Sequence, residues 1–220
     1  MTVALAIFDL DNTLIAGDSD HGWGEFLVEQ GKVDAALYQE KNDYYYQQYQ
    51  SGQLNIMEYL EFSLQALTQM PIDELHNLRQ QFVADKILPI IPKKSRDLLQ
   101  KHKDQGDYLL IITATNLFVT EPIAKELAVD DIIATEPEMK NGQYTGKVHG
   151  IPSFQDGKVK RLTTWLEQKG LSLAGSYFYS DSHNDLPLLK QVDYPVAVDA
   201  DETLTRYAQE HNWPIMSLRD

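Results

Sequence analysis

The chain has 220 residues, 43% of them hydrophobic, and its 33 acidic against 19 basic side chains give a formal charge of -14. That length suits one large domain or a core with a smaller insert, and the acidic excess opposes binding to nucleic acid or an anionic membrane. The chain has no cysteine, which excludes disulfides, thiolate metal sites and a cysteine nucleophile. No apolar stretch approaches the roughly 18 residues of a membrane span, and no basic segment precedes the first apolar run, so a soluble cytoplasmic protein is expected.

The first apolar run, Val3 to Phe8, reads as a buried parallel strand, and Asp9 and Asp11 follow it at once in Asp-Leu-Asp-Asn-Thr. In open α/β sheets the residues past a strand's carboxyl end line the ligand crevice. Two carboxylates so close repel unless a cation lies between them or one is protonated, and Mg²⁺ suits an oxygen-rich site that also handles phosphate. One Asp can then attack phosphorus while the other moves protons. The same string also has the composition of a turn or helix cap.

About 75 residues without a convincing strand come next, too many for a loop in a compact domain. Helical patterns cover Trp23 to Glu29, Ala35 to Tyr49, Met57 to Leu67 and Ile72 to Phe82, with breaks at Gly31, Gly52 and Pro71, and together they predict a four-helix cap over the catalytic end of the sheet. Beyond it an amphipathic helix around Asp97 to Lys103 ends at Gly106, and a second over Lys158 to Lys169 ends at Gly170. Short apolar runs at Tyr108 to Ile112, Ile132 to Ala134, Tyr177 to Tyr179 and Pro195 to Val198 complete a βαβ spacing and predict a doubly wound, mostly parallel sheet. The stretch Gly142 to Gly146 reads as a hairpin or extended excursion.

Chemical positions recur at the strand ends. Thr113 closes Leu-Leu-Ile-Ile, where a hydroxyl and nearby backbone N–H groups, Ala114 included, can hold phosphate oxygens, although Thr is also an ordinary strand or capping residue. Lys158 opens its helix, where an ammonium can neutralise a phosphate and its nucleophile, with Lys160 and Arg161 as rivals. Asp181, Asn184 and Asp185 follow Tyr-Phe-Tyr in Ser-Asp-Ser-His-Asn-Asp. Asp181 could complete a metal shell while Asn184 and Asp185 support it or orient Lys158, and the same residue types also cap helices.

Taken in order, the four strings resemble the motifs of the haloacid dehalogenase superfamily of phosphatases, and the helical insertion after the first resembles the cap of its phosphoserine-phosphatase-like subfamily. The resemblance implies a core of residues 1–16 and 88–220 with a cap of residues 17–87. It also selects Lys158 over Lys160, through its distance before Asp181. Asp9 is then the nucleophile that forms an aspartyl-phosphate, and Asp11 is the acid and base. Asp9, the Asp11 backbone carbonyl and Asp181 hold Mg²⁺, while Thr113, Ala114, Lys158 and Asn184 contact the substrate. Cap closure is expected, with Gly17 and the segment near Leu88 to Pro92 as hinges.

The substrate implied is a small phosphorylated metabolite of amino-acid biosynthesis. Asp18 falls where phosphoserine phosphatases place the acid that meets the substrate amine, and Asp20 is its neighbour. The cap arginine that clamps the substrate carboxylate has no counterpart, because Ser63 takes its place and residues 54–78 contain no Arg or Lys. An amine-bearing substrate without a carboxylate fits better, histidinol phosphate above all, with His21, Trp23 and Tyr44-Tyr45-Tyr46 as an aromatic wall for the imidazole. Phosphoserine is the alternative, and a phosphomutase, an inactive relative and a receiver-type signalling module are further ones. A receiver is much shorter and carries its phosphorylated Asp after a later strand, where this chain has Thr113 and Thr135. No oligomeric state can be read from the sequence.

Overall fold

The structure is a computed structural model that describes residues 4–219; Val3, where the first strand was expected to begin, lies outside them. Strand β1, Leu5–Phe8, is fully buried and forms the centre of a seven-stranded sheet. Burial on both faces explains why it reads as a continuous apolar run and not as an alternation. The insertion follows as α1 (Ser19–Glu29), α2 (Ala35–Gln50), α3 (Ile56–Gln65) and α4 (Ile72–Phe82). The chain then continues through α5 (Lys93–Gln105), β2 (Tyr108–Asn116), α6 (Leu117–Glu126), β3 (Asp131–Lys140), β4 (Gln143–His149) and α7 (Asp156–Lys169). It closes with β5 (Tyr177–Ser180), α8 (Leu186–Leu189), β6 (Tyr194–Val198), α9 (Glu202–Glu210) and β7 (Ile215–Met216).

The strand order is β4-β3-β2-β1-β5-β6-β7, with every pair parallel except β3 and β4. The fold is therefore a doubly wound, mostly parallel α/β sheet with helices on both faces. Ala6 and Phe8 of β1 face α5, α6 and the insertion, whereas Leu5 and Ile7 face α7, α8 and α9. The apolar side chains of α1, α3 and α4 belong to the same cluster as those under α5 and α6, so the insertion shares its core with one face of the sheet.

Helices α5 and α7 stop at Gly106 and Gly170, both left-handed, as expected of C-terminal glycines. The excursion near Gly142 is an antiparallel hairpin whose two turn residues, Asn141 and Gly142, both have positive φ, the conformation a tight hairpin requires. Strand β2 runs four residues beyond Ile112, because Asn116 pairs with Thr135 across an irregularity in the ladder. Thr113 accordingly lies inside the strand, and Asn116 caps α6 by accepting from the Val119 N–H.

Candidate active site

Parallel pairing places the ends of β1, β2 and β5 side by side. Phe8 stands level with Ile111 and Tyr179, and the Asp9 N–H donates to the Tyr179 carbonyl at 2.9 Å. The strand ends thus bring Asp9, Thr113 and Asp181 to one edge of the sheet although they are distant in sequence. After Asp9 the backbone turns sharply, with Asn12 at φ 55°, a conformation that Asn tolerates better than most residues. The turn is tied by the Ile15 N–H to the Leu10 carbonyl (3.1 Å) and the Asn12 N–H to the Gly17 carbonyl (2.8 Å). Arg219 adds a clamp that no motif signals, its guanidinium donating to the carbonyls of Asn12, Thr13 and Ile15.

The turn sends its two carboxylates in different directions. Asp11 accepts from the Ser19 N–H at 2.6 Å and from the hydroxyls of Thr115 and Thr113 at 2.8 and 3.3 Å. Thr115 was not among the expected residues; alternation in Thr-Ala-Thr places both hydroxyls on one side of β2, which is the signal that could have found it. Asp9 instead accepts from the Lys158 ammonium at 2.8 Å, and the same ammonium donates to Asp185 at 2.8 Å. Asp185 also accepts from the Ser180 hydroxyl at 2.7 Å. Thr13 joins the first and fourth motifs, its hydroxyl donating to Asp181 Oδ1 at 3.1 Å and accepting from the Asp181 N–H at 3.0 Å.

Lys158 reaches this point because α7 begins unusually close to the preceding segment. A Cβ on Gly157 would lie 2.0 Å from the Pro152 carbonyl oxygen, so only glycine fits there. Arg161 is drawn away to Glu136 and the Ile151 carbonyl, so it does not compete with Lys158 for Asp9.

Burial dominates the electrostatics. It raises the Asp9 carboxyl to about 7, with Lys158 opposing the rise and Asp185 adding to it. Burial likewise raises Asp181 well above the usual carboxylate range, and Asp9 and Asp185 push it further. Burial alone would lower Lys158, but Asp185 and Asp9 reverse this and hold it above its ordinary value. One buried ammonium thus faces three buried or half-buried carboxylates. That surplus of negative charge, with one oxygen each of Asp9 and Asp181 free of any hydrogen bond among the described residues, fits a hard divalent cation with oxygen ligands. The Asp11 side chain is fully occupied by the cap base and β2, which leaves its backbone carbonyl for such a role. Among the described residues no three His, Cys, Asp or Glu side chains converge as a ready metal cluster.

Over this floor lies a cavity between cap and core. Asp9, Asp11, Thr113, Ala114, Thr115 and Phe154 form its base, and Asp18, Asp20, His21, Asn42, Tyr45, Tyr46, Tyr49, Leu54, Ile56 and Tyr59 its cap side. Among the described residues no Lys or Arg lines it. His21 stacks on Tyr46 with ring centroids 4.6 Å apart. Trp23 and Tyr44 do not belong to this wall. Trp23 packs against Phe26, Phe82 and Phe118 in the core, and Tyr44 is 54% exposed, on the outer side of α2. Tyr49, Tyr59 and Phe154 take their places; helical periodicity alone could not say which turn of α2 and α3 faces inward.

Asn184, expected at the substrate, does not line the cavity. Its side chain accepts from Gln155 at 2.9 Å and donates to the Tyr49 carbonyl at 3.3 Å, linking the start of α7 to the end of α2. Lys158 sits beneath the cavity, against Asp9, and Ser63 lies outside it on α3. At the base of the cap the two connecting segments meet, the Ala16 N–H donating to the Ile90 carbonyl at 2.8 Å.

Comparisons with known proteins give the family of the chain. The model of the haloacid dehalogenase-like hydrolase family matches residues 6–190. The chain is 43% identical over 219 residues to a protein of Neisseria meningitidis serogroup C named histidinol-phosphatase, covering 98% of this chain and 99% of that one. A crystal structure of a protein of unknown function from Bordetella pertussis Tohama I superposes with a TM-score of 0.94 at 40% identity over the full length of both chains. A phospho-aspartyl intermediate analogue of phosphoserine phosphatase shares the fold, with a TM-score of 0.73 at 18% identity over 100% of this chain and 95% of that one. With four ordered motifs brought to one sheet edge and a family model spanning most of its length, the chain belongs to the haloacid dehalogenase-like hydrolases.

Proposed function

We propose that the protein is a Mg²⁺-dependent phosphomonoesterase that works through an aspartyl-phosphate on Asp9 and acts on a small amine-bearing phosphometabolite, histidinol phosphate in the first place. Membership of a hydrolase family and the likeness to a named histidinol-phosphatase support a phosphatase. The observation that carries the substrate class is the cavity itself, which has four carboxylates and a set of aromatic rings and no cation that could clamp a substrate carboxylate.

In this reading a carboxylate oxygen of Asp9 attacks phosphorus, the ester P–O bond breaks, and Asp11 gives a proton to the departing alcohol oxygen. Asp11 then takes a proton from water, the water oxygen attacks phosphorus, and the bond to Asp9 breaks to release phosphate. The three donors on Asp11, from Ser19, Thr113 and Thr115, fix its carboxyl at the base of the cavity, and this supports its role as the acid and base. Lys158 stays bound to Asp9 and Asp185 and offsets the charge that gathers on the transferring group. Asp9, the Asp11 carbonyl and Asp181 would hold Mg²⁺, which when bound supplies further charge neutralisation for the phosphate. Residues 17–87 act as the cap and the paired segments at Ala16 and Ile90 as its hinge, shutting water out during transfer and admitting it afterwards.

The test is phosphate release with Mg²⁺ from histidinol phosphate, phosphoserine and simple sugar phosphates, comparing the wild type with Asp9→Asn. A strong preference for histidinol phosphate, reduced on the order of 10,000-fold or more by Asp9→Asn, is the expected result, since losing a nucleophile removes most of the rate enhancement. Preference for phosphoserine would refute the substrate reading and leave the chemistry standing. Full activity of Asp9→Asn would refute the chemistry.

A further inference from the structure

Arg219 reaches the first motif from a segment more than 200 residues further along the chain. It follows β7 and the buried Leu218, and its backbone is anchored on both sides. The Leu218 N–H donates to Asp199 Oδ2 at 2.9 Å, and the Arg219 carbonyl accepts from the Lys94 ammonium at the start of α5. From this fixed point its guanidinium donates to the carbonyls of Asn12 at 2.5 Å, Ile15 at 3.2 Å and Thr13 at 3.3 Å, and it lies 3.8 Å from Asp199. Arg219 does not line the cavity, so these carbonyls and not a substrate are its partners.

The three carbonyls belong to one short turn, and that turn is strained. Asn12 has φ 55°, a left-handed conformation that a residue with a side chain keeps only when its surroundings hold it there. The same turn carries two elements of the cation site. The Asp11 carbonyl shares a planar peptide with the Asn12 N–H, which donates to the Gly17 carbonyl at 2.8 Å, so holding Asn12 on its other side, at its own carbonyl, sets the direction of the Asp11 carbonyl. Thr13 holds Asp181, its hydroxyl donating to Oδ1 at 3.1 Å and accepting from the Asp181 N–H at 3.0 Å, while its carbonyl is held by Arg219. A planar guanidinium with several fixed donors can span these carbonyls at once, whereas an ammonium is a point charge on a flexible stem.

We infer that Arg219 is a positioning residue for the divalent cation: it keeps the turn in the shape that presents the Asp11 carbonyl and, through the Thr13 hydroxyl, the Asp181 carboxylate to one ion. This inference rests on the Mg²⁺ reading proposed above and adds to it a side chain that touches neither the substrate nor the residues' ligating atoms. Charge alone predicts the opposite effect. A guanidinium beside a cation site repels the cation, so removing it would tighten Mg²⁺ binding. Removing a group that orients the ligands instead weakens binding, by about 10–100-fold for such outer partners. The sign of the change therefore separates the two roles.

The experiment is a calorimetric titration of Mg²⁺ alone into the metal-free full chain, for the wild type, Arg219→Met and Arg219→Lys, at a temperature where circular dichroism shows each to be folded. Arg219→Met is expected to raise the Kd for Mg²⁺ by about 10–100-fold while the number of ions bound per chain stays the same. A merely structural role would not give this result, because a partly unfolded sample loses binding sites and keeps the Kd of those that remain. Arg219→Lys preserves the charge without the planar fork, so its Kd should stay more than about threefold above that of the wild type. If Arg219→Met does not fold, Arg219→Lys reads the same quantity. The inference is overturned if Arg219→Met binds Mg²⁺ as tightly as the wild type or more tightly, if only the number of sites falls, or if Arg219→Lys equals the wild type. A wild type that binds no Mg²⁺ and releases phosphate equally well without it would instead overturn the metal reading on which the inference rests.

Discussion

On the floor of the cavity and just beneath it the carboxylates are tied to strand ends by an ammonium and hydroxyls, whereas the wall above is made of rings that touch mainly one another. Asp9, Asp181 and Asp185 are linked to β1, β5 and α7 by Lys158, Thr13 and Ser180. His21, Tyr46, Tyr45 and Tyr59 are held by stacking and edge contacts within the cap. The difference matches the two tasks of such an enzyme. Phosphoryl transfer needs fixed charge in a dry place, and rigid strand ends provide it. Substrate choice needs a surface that can be exchanged without disturbing the chemistry, and a helical insertion packed on one face of the sheet provides that.

If floor and wall are separate in this way, damage to each should look different. The largest effect is expected from Lys158→Met, which leaves Asp9 and Asp185 buried without their cation. Removing one partner of a buried ion pair destabilises by about 3–5 kcal/mol, so denaturant unfolding should show a loss of that order together with a collapse of kcat for every substrate. A variant as stable as the wild type would break the comparison at its strongest point.

An intermediate effect is expected where wall and floor touch. Gly52, between α2 and α3, has φ +71°, and a Cβ there would lie 2.6 Å from His183 Nε2 in the fourth-motif loop. His183 is itself held by Asp201 at 2.8 Å, so it cannot easily yield. Gly52→Ala should cost about 1–2 kcal/mol through backbone strain and steric clash, expressed as poorer cap closure. KM should rise by about tenfold for all substrates, and the melting temperature should fall by about 2–8 °C. An unaltered KM would show that this contact does not secure the cap.

A smaller and selective effect is expected from Tyr46→Ala, which removes the stacking partner of His21. Such a pair contributes about 0.5–1.5 kcal/mol, so KM for an imidazole-bearing ester should rise about fivefold while simple phosphate esters change less. An equal loss for all esters would move Tyr46 from the wall to the floor in function.

The smallest effect concerns pH. Burial lifts the Asp20 carboxyl to about 7, so between the usual carboxylate range and neutrality the folded protein binds a proton that the unfolded chain does not. The ionised carboxyl opposes folding above about 7, and this penalty fades as the pH falls through 7 towards 4. Melting temperature measured without metal or substrate should therefore rise by about 2–4 °C on going from about pH 8 to about pH 5.5, and by less in Asp20→Asn. The same rise in both proteins would show that Asp20 is not the group responsible.

The legibility of the two regions differs for the same reason as their tasks. A strand buried on both faces writes itself as an unbroken apolar run, so the ends of β1 and β5, and with them Asp9, Asp11 and Asp181, could be placed from the sequence, whereas Thr113, expected to close its strand, lies inside β2. The glycines that end α5 and α7 and the turn at Asn141-Gly142 were equally readable, because local backbone conformation requires those residue types. Strand β7, with two residues, and the reach of β2 to Asn116 have no such signature; both depend on a neighbouring strand being there to pair with.

The sequence by itself determined the βαβ frame, the acidic strand ends and the helical insertion, since each follows from short-range periodicity and residue chemistry. Only the tertiary structure decided that Trp23 and Tyr44 turn away from the cavity while Tyr49, Tyr59 and Phe154 line it. It alone joined Asn184 to the cap, clamped the first motif with Arg219 and gave Asp18 and Asp20 different partners. Helix faces, and contacts between segments a hundred or more residues apart, are set by how the elements pack, and no local pattern carries that information.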